Sequence, residues 1–125
     1  MSESKLPRRL CRIEEIPDGQ GVGFTLGEGE GRSYIFVVRQ GGRVFGYVNS
    51  CPHIGTPLDM IPDRFMTADK RHILCMTHGA RFRVYDGYCF AGPCQGRSLA
   101  KLALALEGGE VLILRDASQE GRSSG

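Results

Sequence analysis

Cysteine and histidine, the side chains that bind soft metal ions, occur together in two short motifs of this sequence. The motifs are Cys51-Pro52-His53 and Cys75-Met76-Thr77-His78. Each offers one thiolate and one imidazole, and each is followed by a glycine, which lets the backbone pass close to a bulky group. Together they supply four protein donors, which is enough to complete a metal site.

The two motifs resemble the ligand loops of Rieske iron–sulfur proteins, in which two histidines replace two cysteines on one iron of a [2Fe–2S] cluster. The resemblance implies that Cys51 and Cys75 bind the inner iron. It implies equally that His53 and His78 bind the outer iron. It covers residues 13–114 and implies supporting positions around the cluster, which are Gly55, Gly79 and the Gly92-Pro93 turn of a third loop.

Ligation by histidine has an electrostatic consequence. With neutral imidazoles on one iron, the oxidised cluster has a formal charge near zero, about two units less negative than an all-cysteine cluster. Adding an electron to a neutral group is easier than adding one to an anion, so the reduction potential rises. If an imidazole titrates, electron uptake and proton uptake become linked.

Departures from the family pattern predict a low potential within that class. Rieske proteins of respiratory complexes have an extra cysteine in each ligand loop, and the matching positions here are Thr56 and Thr77, so that disulfide is absent. Those proteins also place a serine and a tyrosine hydroxyl near the cluster, whereas Ala80 and Phe82 occupy the matching positions. Fewer hydrogen-bond donors leave the reduced cluster less stabilised, as in Rieske-type ferredoxins.

A zinc site is the alternative for the four donors, because a tetrahedral set of two cysteines and two histidines also suits zinc. Zinc motifs usually separate their ligands by two or more residues, and a single residue lies between Cys51 and His53. The spacing therefore favours iron–sulfur over zinc.

Other reactive side chains have simpler interpretations. His72 lies beside two basic residues and is predicted to be a surface residue. Cys89 and Cys94 form either a redox pair or reduced, packed thiols, and the interpretation as packed thiols is favoured. Cys11 is predicted to be a core thiol. Five basic residues are predicted to form solvated surface: Arg64, Lys70, Arg71, Arg81 and Arg83. As the alternative, Arg81 and Arg83 help to dock an acidic partner.

Strand and turn patterns predict the elements that position the motifs. Three pairs of apolar segments flank glycine-containing turns and read as hairpins. They are residues 34–38 with 44–48, residues 80–85 with 88–90, and residues 102–106 with 111–114. Residues 11–16 and 23–26 are weaker strands, and residues 63–71 fit a short helix inside a charged surface excursion over residues 61–71.

We therefore expect an all-β, Rieske-like domain of stacked antiparallel sheets, with the cluster held by two loops at one tip. The length of 125 residues suits one domain, over residues 1–117, followed by a disordered tail over 118–125. The net charge of +2 is small and argues against nucleic acid. No apolar run suits a membrane span or signal peptide, so a cytoplasmic protein with reduced cysteines is expected.

The resemblance implies a soluble one-electron carrier and not an enzyme. Such a ferredoxin passes electrons from a flavin-dependent reductase to a terminal oxygenase of the ring-hydroxylating type. The alternative is a small subunit of a nitrite-reductase-like complex, in which the large subunit accepts the electrons. A terminal oxygenase would need a second iron site with two further histidines, and the three histidines of the chain leave one after the cluster.

Overall fold

The computed structural model describes residues 8–115, except residues 28–32, 53–56, 60 and 78. Within the described residues the chain forms nine β-strands and one short 3-10 turn, Ile13–Glu15. The strands are β1 (Arg8–Arg12), β2 (Gly21–Leu26), β3 (Ser33–Gln40), β4 (Arg43–Val48), β5 (His72–Leu74), β6 (Arg81–Arg83), β7 (Cys89–Ala91), β8 (Lys101–Glu107) and β9 (Glu110–Arg115). No helix in this part of the chain is long and apolar enough to cross a bilayer.

The strands form two antiparallel sheets. Six strands lie in one sheet in the order β1-β9-β8-β4-β3-β2, and the other sheet has the order β5-β6-β7. The prediction of an all-β domain of antiparallel sheets is confirmed. The predicted tail, residues 118–125, lies outside the described residues.

Two of the predicted hairpins have tight glycine turns. In β3–β4, Gln40 faces Arg43 across a two-residue turn. In β8–β9, Glu107 faces Glu110, and the intervening Gly108 and Gly109 have φ of 59° and 84°. Positive φ at both central residues matches the twist of the flanking strands, and glycine adopts it without steric cost.

The third predicted hairpin forms with shorter strands than expected. Its strands are Arg81–Arg83 and Cys89–Ala91, and the turn between them is closed by a hydrogen bond from the Gly87 amide to the Arg83 carbonyl at 2.8 Å. The first predicted strand also differs, because β1 ends at Arg12 and the chain then enters the 3-10 turn. The Ile16 amide donates to the Ile13 carbonyl, which bends the backbone away from the sheet.

The short helix predicted for residues 63–71 is wrong. Asp63 and Lys70 have φ of 65° and 63°, in the left-handed region that is incompatible with a continuing right-handed helix. The Thr67 hydroxyl donates to the Asp69 carboxylate, a local bond that competes with helical backbone pairing. The segment instead pairs irregularly with β5, since the Leu74 amide donates to the Phe65 carbonyl at 2.8 Å.

A main core lies between the large and the small sheet, and Phe65 anchors the predicted surface excursion in it. The Phe65 side chain is fully buried, and its ring stacks on Phe36 at 4.3 Å with an interplanar angle of 6°. The Tyr47 hydroxyl of β4 also donates to the Val84 carbonyl of the small-sheet hairpin. These contacts tie the two sheets together beneath the ligand loops.

Candidate metal centre

The first ligand loop follows β4 and is closed at its base by Asn49. The side-chain nitrogen of Asn49 donates to the Asp59 carboxylate at 2.9 Å, and the side-chain oxygen of Asn49 accepts from the backbone amide of Leu58 at 2.8 Å. One side chain therefore joins the two ends of the loop that begins with Cys51. The Cys51 side chain is 2% exposed.

The Asn49 bonds lead to a stability prediction. In Asn49→Ala the buried Leu58 amide loses its acceptor, and we expect the free energy of unfolding to fall by about 1–3 kcal/mol. Urea unfolding of the purified protein measures this change. Gln95→Ala, at an exposed position, is the control and should stay within about 0.5 kcal/mol of wild type. Equal stabilities for the two variants would contradict a loop-closing role for Asn49.

The second ligand loop connects β5 to β6 and is closed by backbone hydrogen bonds. The Cys75 amide donates to the Ala80 carbonyl, and the Gly79 amide donates to the Cys75 carbonyl, both at 2.9 Å. Gly79 has φ of 78°, so glycine suits this position. The Cys75 side chain is 1% exposed. Both cysteines lie beyond strand ends, Cys51 after β4 and Cys75 after β5.

A backbone hydrogen bond joins the two ligand loops directly. The Met76 amide donates to the Leu58 carbonyl at 3.0 Å. The cysteines of both motifs belong to the same buried core cluster of side chains. Two buried thiols on loops fixed to each other fit the sulfur half of the predicted donor set.

The third loop, residues 92–97, contacts both ligand loops. A Cβ at Gly92 would lie 2.7 Å from the Ala80 Cα, so the second ligand loop leaves room for glycine alone. On the other side, the Arg97 guanidinium donates to the Pro52 carbonyl at 3.0 Å. The loop that contains the Gly92-Pro93 turn thus packs against both ligand loops, and its closure over a cluster stays a prediction.

Two further thiols are buried here, Cys94 on the third loop and Cys89 in β7 before it. Cys89 and Cys94 are 0% and 2% exposed, and their sulfurs are 3.1 Å apart as hydrogen-bonded thiols. Burial, together with contacts to Cys89 and Cys51, raises the pKa of the Cys94 thiol to about 12. The interpretation as packed thiols is favoured. Cys11 is also buried, in a separate cluster, as predicted.

The imidazoles of the site lie outside the described residues. His53, Gly55, Thr56 and His78 all fall in the gaps. Among the residues that are described, no three His, Cys, Asp or Glu side chains form a metal-binding group. The structure therefore positions the two cysteines of the predicted set, and the histidines stay a prediction.

The side chains that replace the hydroxyl donors are both buried. Ala80 and Phe82 are 0% exposed, and neither has a polar side-chain atom.

The prediction for His72 needs correction, and Arg83 is solvated as predicted but also forms local contacts. His72 is half-buried in β5, and its ring lies 4.7 Å from that of Phe90. Arg83 is bound to Asp86 by hydrogen bonds of 3.1 and 2.6 Å, and its guanidinium lies over the Tyr88 ring at 4.6 Å. These bonds lower the pKa of the Asp86 carboxyl. The other four basic residues of the predicted group are exposed, as expected: Arg64, Lys70, Arg71 and Arg81.

The sequence motifs did not identify Asn49, Cys94 or Arg97 as parts of this site. Each contacts a residue of a ligand loop, and the Arg97 bond spans 45 positions. A polar residue directly after a strand is a weak signal for Asn49, and the thiol spacing is a weak signal for Cys94. No local pattern indicates that Arg97 binds Pro52.

Comparisons with known proteins agree with this geometry. The ferredoxin of carbazole 1,9a-dioxygenase from Nocardioides aromaticivorans IC177 has 25% sequence identity and a TM-score of 0.68, over 87% of this chain and 99% of that chain. A ferredoxin of Sphingomonas yanoikuyae B1 has 28% identity and a TM-score of 0.67, over 86% and 97% of the two chains.

A further similar structure is a complex of reduced oxygenase and oxidized ferredoxin in carbazole 1,9a-dioxygenase, with 23% identity, a TM-score of 0.66 and coverage of 85% and 90%. The search of curated proteins finds no match. The family model of the Rieske [2Fe-2S] domain matches residues 7–119. The protein described here therefore belongs to the Rieske [2Fe-2S] domain family.

Proposed function

We propose that this protein is a one-electron carrier whose [2Fe–2S] cluster is bound by Cys51, His53, Cys75 and His78. The observation that carries the proposal is the pair of buried cysteines on two loops joined by the Met76–Leu58 hydrogen bond. When bound, a cluster of this type supplies a one-electron couple. Around it, the chain excludes water from the sulfur ligands and fixes the spacing of the loops.

The cofactor is tested by electron paramagnetic resonance of the dithionite-reduced protein, together with iron and sulfide analysis. We expect about two irons and two sulfides per chain and a spectrum of the Rieske type, distinct from that of an all-cysteine cluster. A colourless protein that contains zinc would contradict the proposal. The same material should be used for each later measurement, so that cofactor content is known throughout.

A redox titration is expected to place the midpoint potential near the lower end of the Rieske range, at about −150 mV. The physical reason is the absence of hydroxyl groups at Ala80 and Phe82, since each missing donor leaves the added negative charge less stabilised. The titration is followed by the visible spectrum. A midpoint potential near the upper end of that range, about +300 mV, would contradict this interpretation.

We further propose that the chain is the ferredoxin component of an oxygenase system. It would accept electrons from a flavin-dependent reductase and deliver them to a terminal oxygenase of the ring-hydroxylating type. The similarity over nearly the full length of a ferredoxin of carbazole 1,9a-dioxygenase supports this role. The role of an electron carrier also fits the sequence, because the two Cys-His motifs are used up by the four proposed ligands.

Electron delivery can be measured separately from cofactor content. The reduced protein is mixed with an oxidised Rieske oxygenase, and reoxidation of the carrier is followed by stopped-flow absorbance. Rapid, saturable transfer is expected, while a cluster-containing protein that reduces no such oxygenase would contradict the proposed partner.

We also propose a cytoplasmic location, where thiols stay reduced.

A further inference from the structure

The buried thiols Cys89 and Cys94 are not among the proposed ligands, yet they are arranged in a directed chain of hydrogen bonds. The Cys89 thiol donates to the Ala91 carbonyl at 3.2 Å, and the Cys94 thiol donates to the Cys89 sulfur at 3.1 Å. A thiol has one hydrogen to donate. Because the Cys89 hydrogen is used by Ala91, the hydrogen between the two sulfurs comes from Cys94.

The proposed ligand Cys51 offers Cys94 a second sulfur acceptor. Arg97, three residues after Cys94, bonds to Pro52 next to Cys51, and Cys51 is among the groups that raise the pKa of the Cys94 thiol. All three thiols belong to the same buried cluster, where water does not compete for the donor. A thiolate bound to iron carries more negative charge than a neutral thiol, and charged acceptors form the stronger hydrogen bonds. With iron bound at Cys51, its sulfur is therefore a better acceptor for the Cys94 hydrogen than Cys89 is.

The backbone holds Cys94 in this position from both sides. The Gly96 amide donates to the Cys89 carbonyl at 3.0 Å, and the Arg97 amide donates to the Cys94 carbonyl at 2.9 Å. The Arg97 guanidinium then fixes the same turn to Pro52, the residue after Cys51. The distance between Cys94 and the first ligand loop is thus set by bonds on either side of the thiol.

We propose that Cys94 donates its S–H to the Cys51 sulfur and thereby raises the reduction potential of the centre. The inference rests on the proposed function, since it requires iron at Cys51. An added electron increases the negative charge on the ligand sulfur, so the hydrogen bond is stronger in the reduced state than in the oxidised state. Cys94 acts as a positioning and tuning residue and compensates in part for the hydroxyls missing at Ala80 and Phe82.

The test compares midpoint potentials of iron-replete variants. In Cys94→Ala the equilibrium constant for reduction should fall about tenfold, which is 59 mV for a one-electron couple. Cys94→Ser keeps a donor at the same position and should restore most of the loss. Cys89→Ala creates a cavity of the same kind but leaves the Cys94 donor in place, so its potential should stay near that of wild type.

A purely structural role for Cys94 predicts a different pattern. The serine variant would then behave like the alanine variant, and the two alanine variants would shift the potential equally; either result would overturn the inference. Cys94→Val, which keeps the volume and removes the donor, provides a second donor-free protein if alanine prevents assembly. A wild-type protein without iron–sulfur signals would overturn the proposed function itself, whereas a normal cluster with an unshifted potential in Cys94→Val overturns the role of Cys94 alone.

Discussion

Cys51→Ala and Cys75→Ala are each expected to lose the bound iron and the visible colour of the protein. Each cysteine supplies one of the four proposed ligands, so its removal leaves an iron without one of its two protein donors. The loss should exceed the 10–100-fold effect seen when an outer partner of a metal ligand is removed. Iron analysis and the visible spectrum of the purified variants measure it.

Cys11→Ala is the matched control for the ligand variants. Cys11 is 3% exposed, as buried as the two proposed ligands, but it lies in a different core cluster. We expect this variant to keep full iron content, with a modest loss of stability from the cavity. If all three cysteine variants lost iron alike, the loss would reflect damage to the fold, and the assignment of ligands would fail.

Phe65→Ala is expected to lower the free energy of unfolding by about 3–5 kcal/mol. The ring is fully buried and stacks on Phe36 at 4.3 Å, so its removal opens a cavity between the sheets. A loss of that size is a large part of the 5–15 kcal/mol that is typical of a whole domain. Urea unfolding monitored by far-ultraviolet circular dichroism measures the change.

Ile61→Ala in the same segment is the control for Phe65. Ile61 is 48% exposed, and its replacement should change stability by no more than about 0.5 kcal/mol. The difference between the two stability changes shows whether the segment is anchored by the Phe65 ring or only covers the surface. Similar effects of the two substitutions would contradict the anchoring role of Phe65.

The sequence predicts those parts of the fold that depend on neighbouring residues. The hairpins at Gly41-Gly42 and Gly108-Gly109 follow from alternating apolar residues beside glycine turns, and both form as expected. The thiols of the ligand motifs are recognisable for the same reason, since motif spacing is local. Gly92 was placed through the family resemblance, and its close contact with Ala80 supplies the physical reason.

Long-range contacts account for what the sequence did not predict. Residues 63–71 have a helix-compatible composition, but burial of Phe65 against Phe36 and pairing with β5 determine their path. The strand β5 has three residues, too few for a periodic pattern to be visible. The contact between Cys94 and Cys51 depends on a turn more than 40 residues away along the chain, so no sequence window contains it.

The bond between the Met76 amide and the Leu58 carbonyl also bears on how the protein acquires its cofactor. This bond joins a loop from each sheet through backbone atoms alone, so no side chain of a proposed ligand takes part in it. Part of the entropy lost in bringing the loops together is therefore offset by a contact of the fold itself and not by a ligand bond. The loops that bear the proposed ligands are thus held together by the backbone of the fold as well as by the cluster that they would bind.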